Sequence, residues 1–235
     1  MKPPLLLLHG ALGSAQQFSS FEKQLDADFE ILKLDFSGHG KQDWYPSKLS
    51  IELFTQDVLA FLAQANLPKT NIFGYSMGGF VALNLALTHP EKVDKIFTLA
   101  TKFNWTPESA VHEVKFLVPD KMKEKVPAFA THLKNLHGSK WEELVLQTAA
   151  LMLALGDKNV LPISELSKIK KRVLLGLGDQ DKMVSLAETQ AVQEALSNSS
   201  FQLFANTPHP WEQVNQAQLA VELLQFFMGE QSRTE

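Results

Sequence analysis

The chain has 235 residues, of which 45% are hydrophobic and 20% charged, and its formal net charge is −4. This composition supplies enough apolar side chains for an ordinary buried core, and the length favours one large domain with an insertion. The lysine clusters are short and lie among apolar residues, so we expect no nucleic acid partner. The chain has no cysteine, which excludes disulfides, a thiolate nucleophile and cysteine metal sites.

Two apolar segments bear on secretion and on membranes. The four leucines before His9 form too short a run for a signal peptide. The longest apolar stretch, residues 144–155, is interrupted by Gln147 and Thr148 and is shorter than the roughly 18 residues that a membrane span requires. We therefore expect a cytoplasmic protein with no membrane partner, whereas the sequence does not indicate its oligomeric state.

Short apolar runs alternate with amphipathic stretches along most of the chain, as in parallel strands joined by helical crossovers. Strands are predicted at residues 5–8, 30–35, 71–74, 95–100, 172–176 and 201–205. The spacing of apolar residues predicts helices at 14–25, 50–65, 77–87, 185–196 and 211–227. Two of them begin with a predicted capping box, Ser14 with Gln17 and Ser185 with Glu188. The pattern predicts an α/β protein with six parallel strands.

Residues 105–167 separate the fourth and fifth predicted strands by far more than one crossover helix. This interval has helical signals of its own, including a helix stop at Gly138 and a capping box of Ser139 with Glu142. We predict a helical cap inserted into a core formed by residues 1–104 and 168–235. In the alternative, the apolar residues of this interval simply pack onto the main sheet.

The sequence GYSMGG at residues 74–79 directly follows a predicted strand and directly precedes a predicted helix. A serine at such a turn is exposed at the carboxyl edge of a sheet, and its flanking glycines allow close approach of neighbouring backbone. The pattern is that of a nucleophile elbow with Ser76 as the nucleophile. The alternative is a glycine-rich turn with an idle serine, which the strand and helix context disfavours.

With this elbow, the chain resembles the α/β-hydrolase superfamily, in its branch of small, cap-bearing esterases and carbon–carbon or carbon–oxygen bond cleaving relatives. The resemblance covers nearly the whole chain except the insertion. It rests, in the order of the family, on Leu7-Leu8-His9-Gly10-Ala11, Asp35 with Gly38-His39-Gly40, the elbow, residues 178–184 and His209. The family usually has two strands before the His-Gly turn, for which His9 leaves no room. The resemblance implies an α/β-hydrolase fold with a trimmed, mostly parallel six-stranded sheet and a helical cap.

A serine hydroxyl needs a base to accept its proton and a carboxylate to orient that base. In the family the acid and then the histidine follow the serine along the chain. Of the seven histidines, only His209 follows the last predicted strand, which makes it the base that the resemblance implies. The loop after the fifth strand offers two aspartates, and Asp181 fits the family's register better than Asp179. We predict a triad of Ser76, Asp181 and His209, with Asp179 holding loop amides or, in the alternative, serving as the acid.

The oxyanion formed by serine attack requires two preorganised hydrogen-bond donors, which backbone amides can supply. The resemblance places these donors at Ala11, after the His-Gly turn, and at Met77, at the start of the helix. No pair of histidines with metal-ligand spacing is backed by a third ligand. The sequence Gly176-Leu177-Gly178 lacks the third glycine of a dinucleotide site. We expect neither a metal nor a cofactor.

These features favour a serine hydrolase that cleaves a small, largely apolar carboxylic ester through an acyl-enzyme. Candidate pocket walls are Leu12, Phe103, Trp105, Phe116 and Trp141. For the four aromatic residues among them, the alternative is a place in the core. A second interpretation is a lyase or carbon–carbon hydrolase similar to menaquinone-pathway synthases and ring-cleavage hydrolases. A menaquinone-type site would require cationic side chains to hold carboxylates, and the predicted cap contains lysines without an evident arginine. A third is a small-molecule receptor or partner-binding scaffold that retains the triad.

Overall fold

The computed structural model describes residues 2–43 and 48–229. Its sheet has six parallel strands, β1 (Pro4–Leu8), β2 (Glu30–Lys33), β3 (Thr70–Tyr75), β4 (Val93–Leu99), β5 (Arg172–Gly178) and β6 (Ser199–Phe204). Their order across the sheet is β2-β1-β3-β4-β5-β6. The order changes direction between β1 and β3, and α/β sheets bind ligands beyond the carboxyl ends of the strands at such a point. The predicted fold class is confirmed.

Nine α-helices lie within the described ranges: α1 (Ile51–Gln64), α2 (Met77–Thr88), α3 (Pro107–Val114), α4 (Pro119–Lys125), α5 (Pro127–His137), α6 (Trp141–Asp157), α7 (Ile163–Leu166), α8 (Leu186–Ala195) and α9 (Gln216–Met228). Helix α2 is buried along most of its length, as expected of a helix that is apolar on every side. No helix in this part of the chain is long and apolar enough to cross a membrane.

The sheet separates two layers of apolar side chains, because successive residues of a strand point to opposite faces. On β1, Leu6 and Leu8 pack in one cluster with α1, α2 and α8. Leu5 and Leu7 pack on the other face, in a cluster that includes the buried side of α9. Both faces are covered, so every leucine of β1 is fully buried. This burial fixes the position at which the strand ends and the turn after it begins.

Five helices, α3 to α7, lie between β4 and β5, inside the interval predicted as a cap. Helices α3, α4 and α5 each have proline near their first position, where the missing N–H removes no helical hydrogen bond. Gly138 follows α5 with φ 68°, as the helix stop predicts. Leu133 and Leu144 of this interval share the apolar cluster of α2. The division of the chain into a core and a cap domain stays a prediction.

Several local predictions were wrong. The predicted helix 14–25 consists of two short 3₁₀ turns. Its predicted capping box does not form, because Ser14 accepts from Gln16 rather than Gln17, and the Ala15 N–H donates to the Asp35 carboxylate at 2.7 Å. Ser139 lies within a 3₁₀ turn and caps no helix. The predicted helix 211–227 begins only at α9, after another 3₁₀ turn. The capping box of Ser185 with Glu188 does form.

Candidate active site

Ser76 lies in a sharp turn between β3 and α2, with φ 52° and ψ −119°, a conformation that few L residues adopt. Its N–H donates to the Leu99 carbonyl at 2.8 Å, and its carbonyl accepts from the Thr101 hydroxyl at 3.0 Å. These two bonds tie the turn to the end of β4. The strained serine is therefore held by the neighbouring strand rather than by its own preference.

Glycines beside Ser76 allow the close packing that the turn requires. A Cβ on Gly74 would lie 2.5 Å from the backbone of Gly79, and one on Gly78 would lie 2.3 Å from the Leu8 carbonyl oxygen. Real Cβ atoms do not approach backbone this closely. Because Gly78 has no side chain, the start of α2 lies against the end of β1, where the predicted oxyanion turn begins.

Ser76, His209 and Asp181 form a hydrogen-bonded row. Ser76 Oγ lies 3.3 Å from His209 Nε2, and His209 Nδ1 lies 2.7 Å from Asp181 Oδ2. The Asp181 side chain is fully buried, and its Oδ1 accepts the N–H groups of Met183 and Val184, both at 2.8 Å. A carboxylate at Nδ1 keeps the hydrogen there and leaves Nε2 to accept the serine proton. The 3.3 Å separation is long for such a bond, and catalytic hydrogen bonds often tighten only with substrate.

Asp179 lies in the same loop but has different partners. Its Oδ1 accepts the Thr207 N–H at 3.1 Å, and its own N–H donates to the Phe204 carbonyl at 2.9 Å. These bonds join the loop after β5 to the loop that carries His209. The structure thus places Asp181, and not Asp179, beside the imidazole. The catalytic roles of the three row members stay predictions.

Tyr75, which the sequence analysis did not single out, holds the histidine loop. Its hydroxyl donates to the His209 carbonyl at 2.6 Å, and its ring packs against Trp211 with centroids 5.4 Å apart. Burial, followed by the charges of Glu212 and Asp181, raises the pKa of Tyr75. The phenol therefore stays protonated and remains a donor. No local spacing indicates this contact, because 134 positions separate the two residues.

The two predicted oxyanion donors, Ala11 and Met77, line the same cavity as Ser76. Within residues 2–43 and 48–229, neither N–H donates to a protein acceptor. Met77 is the first residue of α2, so its N–H is one of those that a helix leaves unpaired. A Cβ on Gly10 would lie 3.2 Å from the Cβ of Ser76, which shows how closely the His-Gly turn approaches Ser76.

His9 and His39 lie buried near this turn, with ring centroids 5.0 Å apart. His9 Nδ1 donates to the Gly10 carbonyl at 2.8 Å, and its Nε2 accepts the Phe36 N–H at 3.1 Å. Burial lowers the pKa of His9 to about 4 and that of His39 well below its usual value. Both rings are therefore neutral at neutral pH, and the neutral form is the one that can accept the Phe36 N–H.

His137, the last residue of α5, connects the insertion to the predicted oxyanion turn. Its Nε2 donates to the Leu12 carbonyl at 2.9 Å, and its Nδ1 accepts the Gly40 N–H at 2.9 Å. Leu12 has φ 58°, an unusual conformation for a leucine. Burial lowers the pKa of His137, which favours the neutral ring that makes both bonds. The sequence analysis missed this residue, whose partners are 125 and 97 positions away.

A cavity of about 290 Å³ opens on Ser76 and His209, a volume near the lower limit for small-molecule sites. Three of the predicted wall residues line it, namely Leu12, Trp105 and Phe116. The insertion supplies further apolar wall residues, including Leu117, Leu151, Met152 and Leu155. Two charged side chains, Lys102 and Glu113, also line the cavity, and the sequence analysis did not select them.

The other two predicted wall residues do not line this cavity. Phe103 is 5% exposed and stacks on Phe80 with centroids 6.3 Å apart. Trp141 is also 5% exposed and borders a separate surface depression, where Lys123 Nζ lies 5.8 Å from its ring centroid. Trp141 is the first residue of α6, whereas the cavity meets that helix from Thr148 onward, about 10 Å further along its axis.

Among the residues that the structure describes, no group of three histidine, aspartate or glutamate side chains is placed to hold a metal ion. The cavity and the hydrogen-bonded row beside it contain a hydroxyl, an imidazole, a buried carboxylate and the charged side chains of Lys102 and Glu113.

Comparison with known proteins identifies the family of the chain. The family model described as the alpha/beta hydrolase fold matches residues 3–132, more than half of the chain. The chain therefore belongs to the α/β-hydrolase family, and the resemblance derived from its motifs is confirmed.

Individual relatives match over shorter segments. A human serine hydrolase-like protein is 34% identical over 101 residues, which cover 42% of this chain and 50% of the relative. An sn-1-specific diacylglycerol lipase of Danio rerio is 36% identical over 95 residues, or 40% of this chain and 30% of the relative. The chain thus matches at most half the length of these two curated relatives.

Among solved structures, a 2-hydroxy-6-oxo-6-phenylhexa-2,4-dienoate hydrolase from Rhodococcus aligns over 96% of this chain and 90% of its own, with a TM-score of 0.78 and 20% sequence identity. At this identity the similarity shows the fold alone.

Proposed function

We propose that the protein is a serine hydrolase that cleaves a small, largely apolar carboxylic ester. The observation that carries this proposal is the Ser76–His209–Asp181 row opening on a mostly apolar cavity. The matched relatives named serine hydrolase-like protein and sn-1-specific diacylglycerol lipase support it.

In the proposed first step, Ser76 Oγ attacks the ester carbonyl carbon while His209 Nε2 takes the hydroxyl proton. Negative charge develops on the carbonyl oxygen, where the N–H groups of Ala11 and Met77 stabilise it. The Asp181 carboxylate stabilises the imidazolium without taking its proton. When the tetrahedral intermediate collapses, the bond between the carbonyl carbon and the alcohol oxygen breaks, and His209 protonates the departing alcohol.

In the second step, water hydrolyses the acyl-enzyme. His209 takes a proton from water, the resulting hydroxide attacks the acyl carbon, and the same two amides stabilise the second oxyanion. His209 then returns the proton to Ser76 Oγ as the acid leaves. The cycle balances with the residues of this chain, the ester and water.

The carbon–carbon hydrolase and lyase interpretation has one feature in its favour, a cation in the cavity. Lys102 lies in the wall, but its Nζ is 3.4 Å from the Glu113 carboxylate. The paired lysine is a poor partner for a substrate carboxylate, because Glu113 would repel it. This favours the ester over a carboxylate-bearing substrate of the second class.

We expect a fluorophosphonate probe to label Ser76 and no other serine, because among the serines that the structure describes it is the one whose hydroxyl lies beside an imidazole held by a carboxylate. Mass spectrometry of the labelled protein identifies the labelled serine, and turnover of short p-nitrophenyl esters measures the activity. Ser76→Ala should abolish both signals, whereas Ser109→Ala, a capping residue of α3, should leave both intact. Undiminished labelling of Ser76→Ala would refute the assignment, and ligand-induced stabilisation without turnover would favour the receptor interpretation.

We expect Trp105→Ala to change the preferred acyl length, because Trp105 lines the cavity. A change of one methylene in an apolar pocket alters discrimination by about 1–3 kcal/mol. The matched variant Trp141→Ala should keep the wild-type chain-length profile and lower the free energy of unfolding by about 3–5 kcal/mol. The ratios of kcat/KM across a series of acyl esters, with urea unfolding, measure both effects. An unchanged profile in Trp105→Ala would show that Trp105 takes no part in the selection of acyl length.

A further inference from the structure

Two oppositely charged side chains lie in the wall of the otherwise mostly apolar cavity. Lys102 follows the end of β4, and Glu113 lies on α3, the first helix of the insertion. Lys102 Nζ is 3.4 Å from Glu113 Oε1, and their side chains are only 10% and 14% exposed. Both line the cavity that opens on Ser76.

Stability does not account for a charged pair at this place. Removal of each charge from water costs several kcal/mol, and well-packed apolar residues often replace a buried pair without loss of stability. Leu117, Leu151 and Leu155 line the same cavity, so apolar side chains would suit this wall. The presence of the pair is therefore to be explained by the ligand that the cavity binds.

Each member of the pair retains unused hydrogen-bonding capacity. Lys102 Nζ has three donors, and besides Glu113 it contacts the Met183 carbonyl at 3.2 Å and lies 5.8 Å from the Trp105 ring centroid. Glu113 Oε1 pairs with Lys102 and lies 3.8 Å from His112 Nδ1. Within the described ranges, Glu113 Oε2 accepts no hydrogen bond from the protein. One donor and one acceptor are thus available side by side.

We propose that the Lys102–Glu113 pair binds a neutral substrate group that both donates and accepts a hydrogen bond, a hydroxyl or a primary carboxamide, and rejects a carboxylate. This inference rests on the proposed ester hydrolysis and names the substrate class of the same site. A hydroxyl can donate to Glu113 Oε2 while its oxygen accepts from Lys102 Nζ. A substrate carboxylate would be attracted by Lys102 but would also lie close to the Glu113 carboxylate. Repulsion between the two carboxylates is strong in a poorly hydrated site.

The test compares esters of equal chain length that end in a methyl, a hydroxyl, a carboxamide or a carboxylate. One series carries this terminus on the acyl chain of a p-nitrophenyl ester, and the other carries it on the alcohol of an acetate ester. We expect the wild-type protein to prefer the hydroxyl and carboxamide termini over the carboxylate, by about tenfold or more in kcat/KM in one of the two series.

Three variants test whether the Lys102–Glu113 pair causes this preference among termini. Glu113→Gln leaves the lysine charge unopposed and should raise the carboxylate-to-hydroxyl ratio of kcat/KM by about tenfold or more. Lys102→Met should remove the hydroxyl preference over the methyl terminus. Glu108→Gln, an exposed change on the same helix, should leave every ratio as in the wild type.

Ratios that stay the same in Glu113→Gln and Lys102→Met would overturn the inference while ester hydrolysis stands. A uniform loss on all termini in Lys102→Met would also overturn it, since Met183 N–H contacts Asp181 and the lysine would then act through the acid loop. Dissociation constants of the same esters for Ser76→Ala give a readout that does not need turnover. If they follow the expected order while the wild-type protein hydrolyses nothing, the inference survives and the proposed function fails.

Discussion

Asp181→Asn should lower kcat by about 10⁴-fold. The asparagine keeps an oxygen for the Met183 and Val184 N–H groups, so the loop should keep its shape. Its amide would replace the carboxylate 2.7 Å from His209 Nδ1, which favours the tautomer with hydrogen on Nε2. That ring cannot accept the Ser76 proton. Steady-state kinetics on a p-nitrophenyl ester, with urea unfolding to check the fold, measure the loss.

Asp179→Asn is the matched control, two positions away in the same loop. Asp179 accepts the Thr207 N–H, and an asparagine oxygen can accept the same bond. We expect kcat within about tenfold of the wild type. If Asp179→Asn proved the more damaging change, the acid of the triad would be Asp179, and His209 would have to adopt a different orientation during the reaction.

Local sequence patterns predicted the parts of the site that depend on single turns. The apolar run of β1 and the elbow at Ser76 are properties of a few adjacent residues, and the resemblance supplied the order in which acid and base follow. The register of Asp181 with Met183 and Val184 also pointed to the side chain that lies beside His209, because those two amides hold the carboxylate.

The walls of the cavity could not be derived in this way. Helical periodicity tells which residues share a face of α6, but not which end of the helix reaches the active site. Trp141 and Leu151 both lie on its buried side, and only Leu151 lines the cavity. The pairing of Lys102 with Glu113 likewise depends on how α3 packs beyond β4. These are tertiary contacts, and the spacing of residues within one helix or strand does not predict them.

His137→Ala should lower kcat by about 10²-fold with a smaller change in KM, because it removes the support of the oxyanion turn. The Leu12 carbonyl would lose the Nε2 donor and the Gly40 N–H would lose the Nδ1 acceptor. Leu12 is held at φ 58°, and release of this strain would move the neighbouring Ala11 N–H. Loss of one oxyanion donor costs about 10²–10³-fold in kcat.

Separate kcat and KM values and thermal unfolding distinguish this effect from a loss of stability, which we also expect at about 1–3 kcal/mol for each buried group left unpaired. His132→Ala, on the exposed side of α5, should change neither quantity appreciably. His137→Gln should recover part of kcat, since its amide can donate to the Leu12 carbonyl. An unchanged kcat in His137→Ala would show that the oxyanion turn keeps its shape without α5. A lowered kcat that His137→Gln restores would show that the insertion, through one imidazole, shapes the turn at which the reaction occurs.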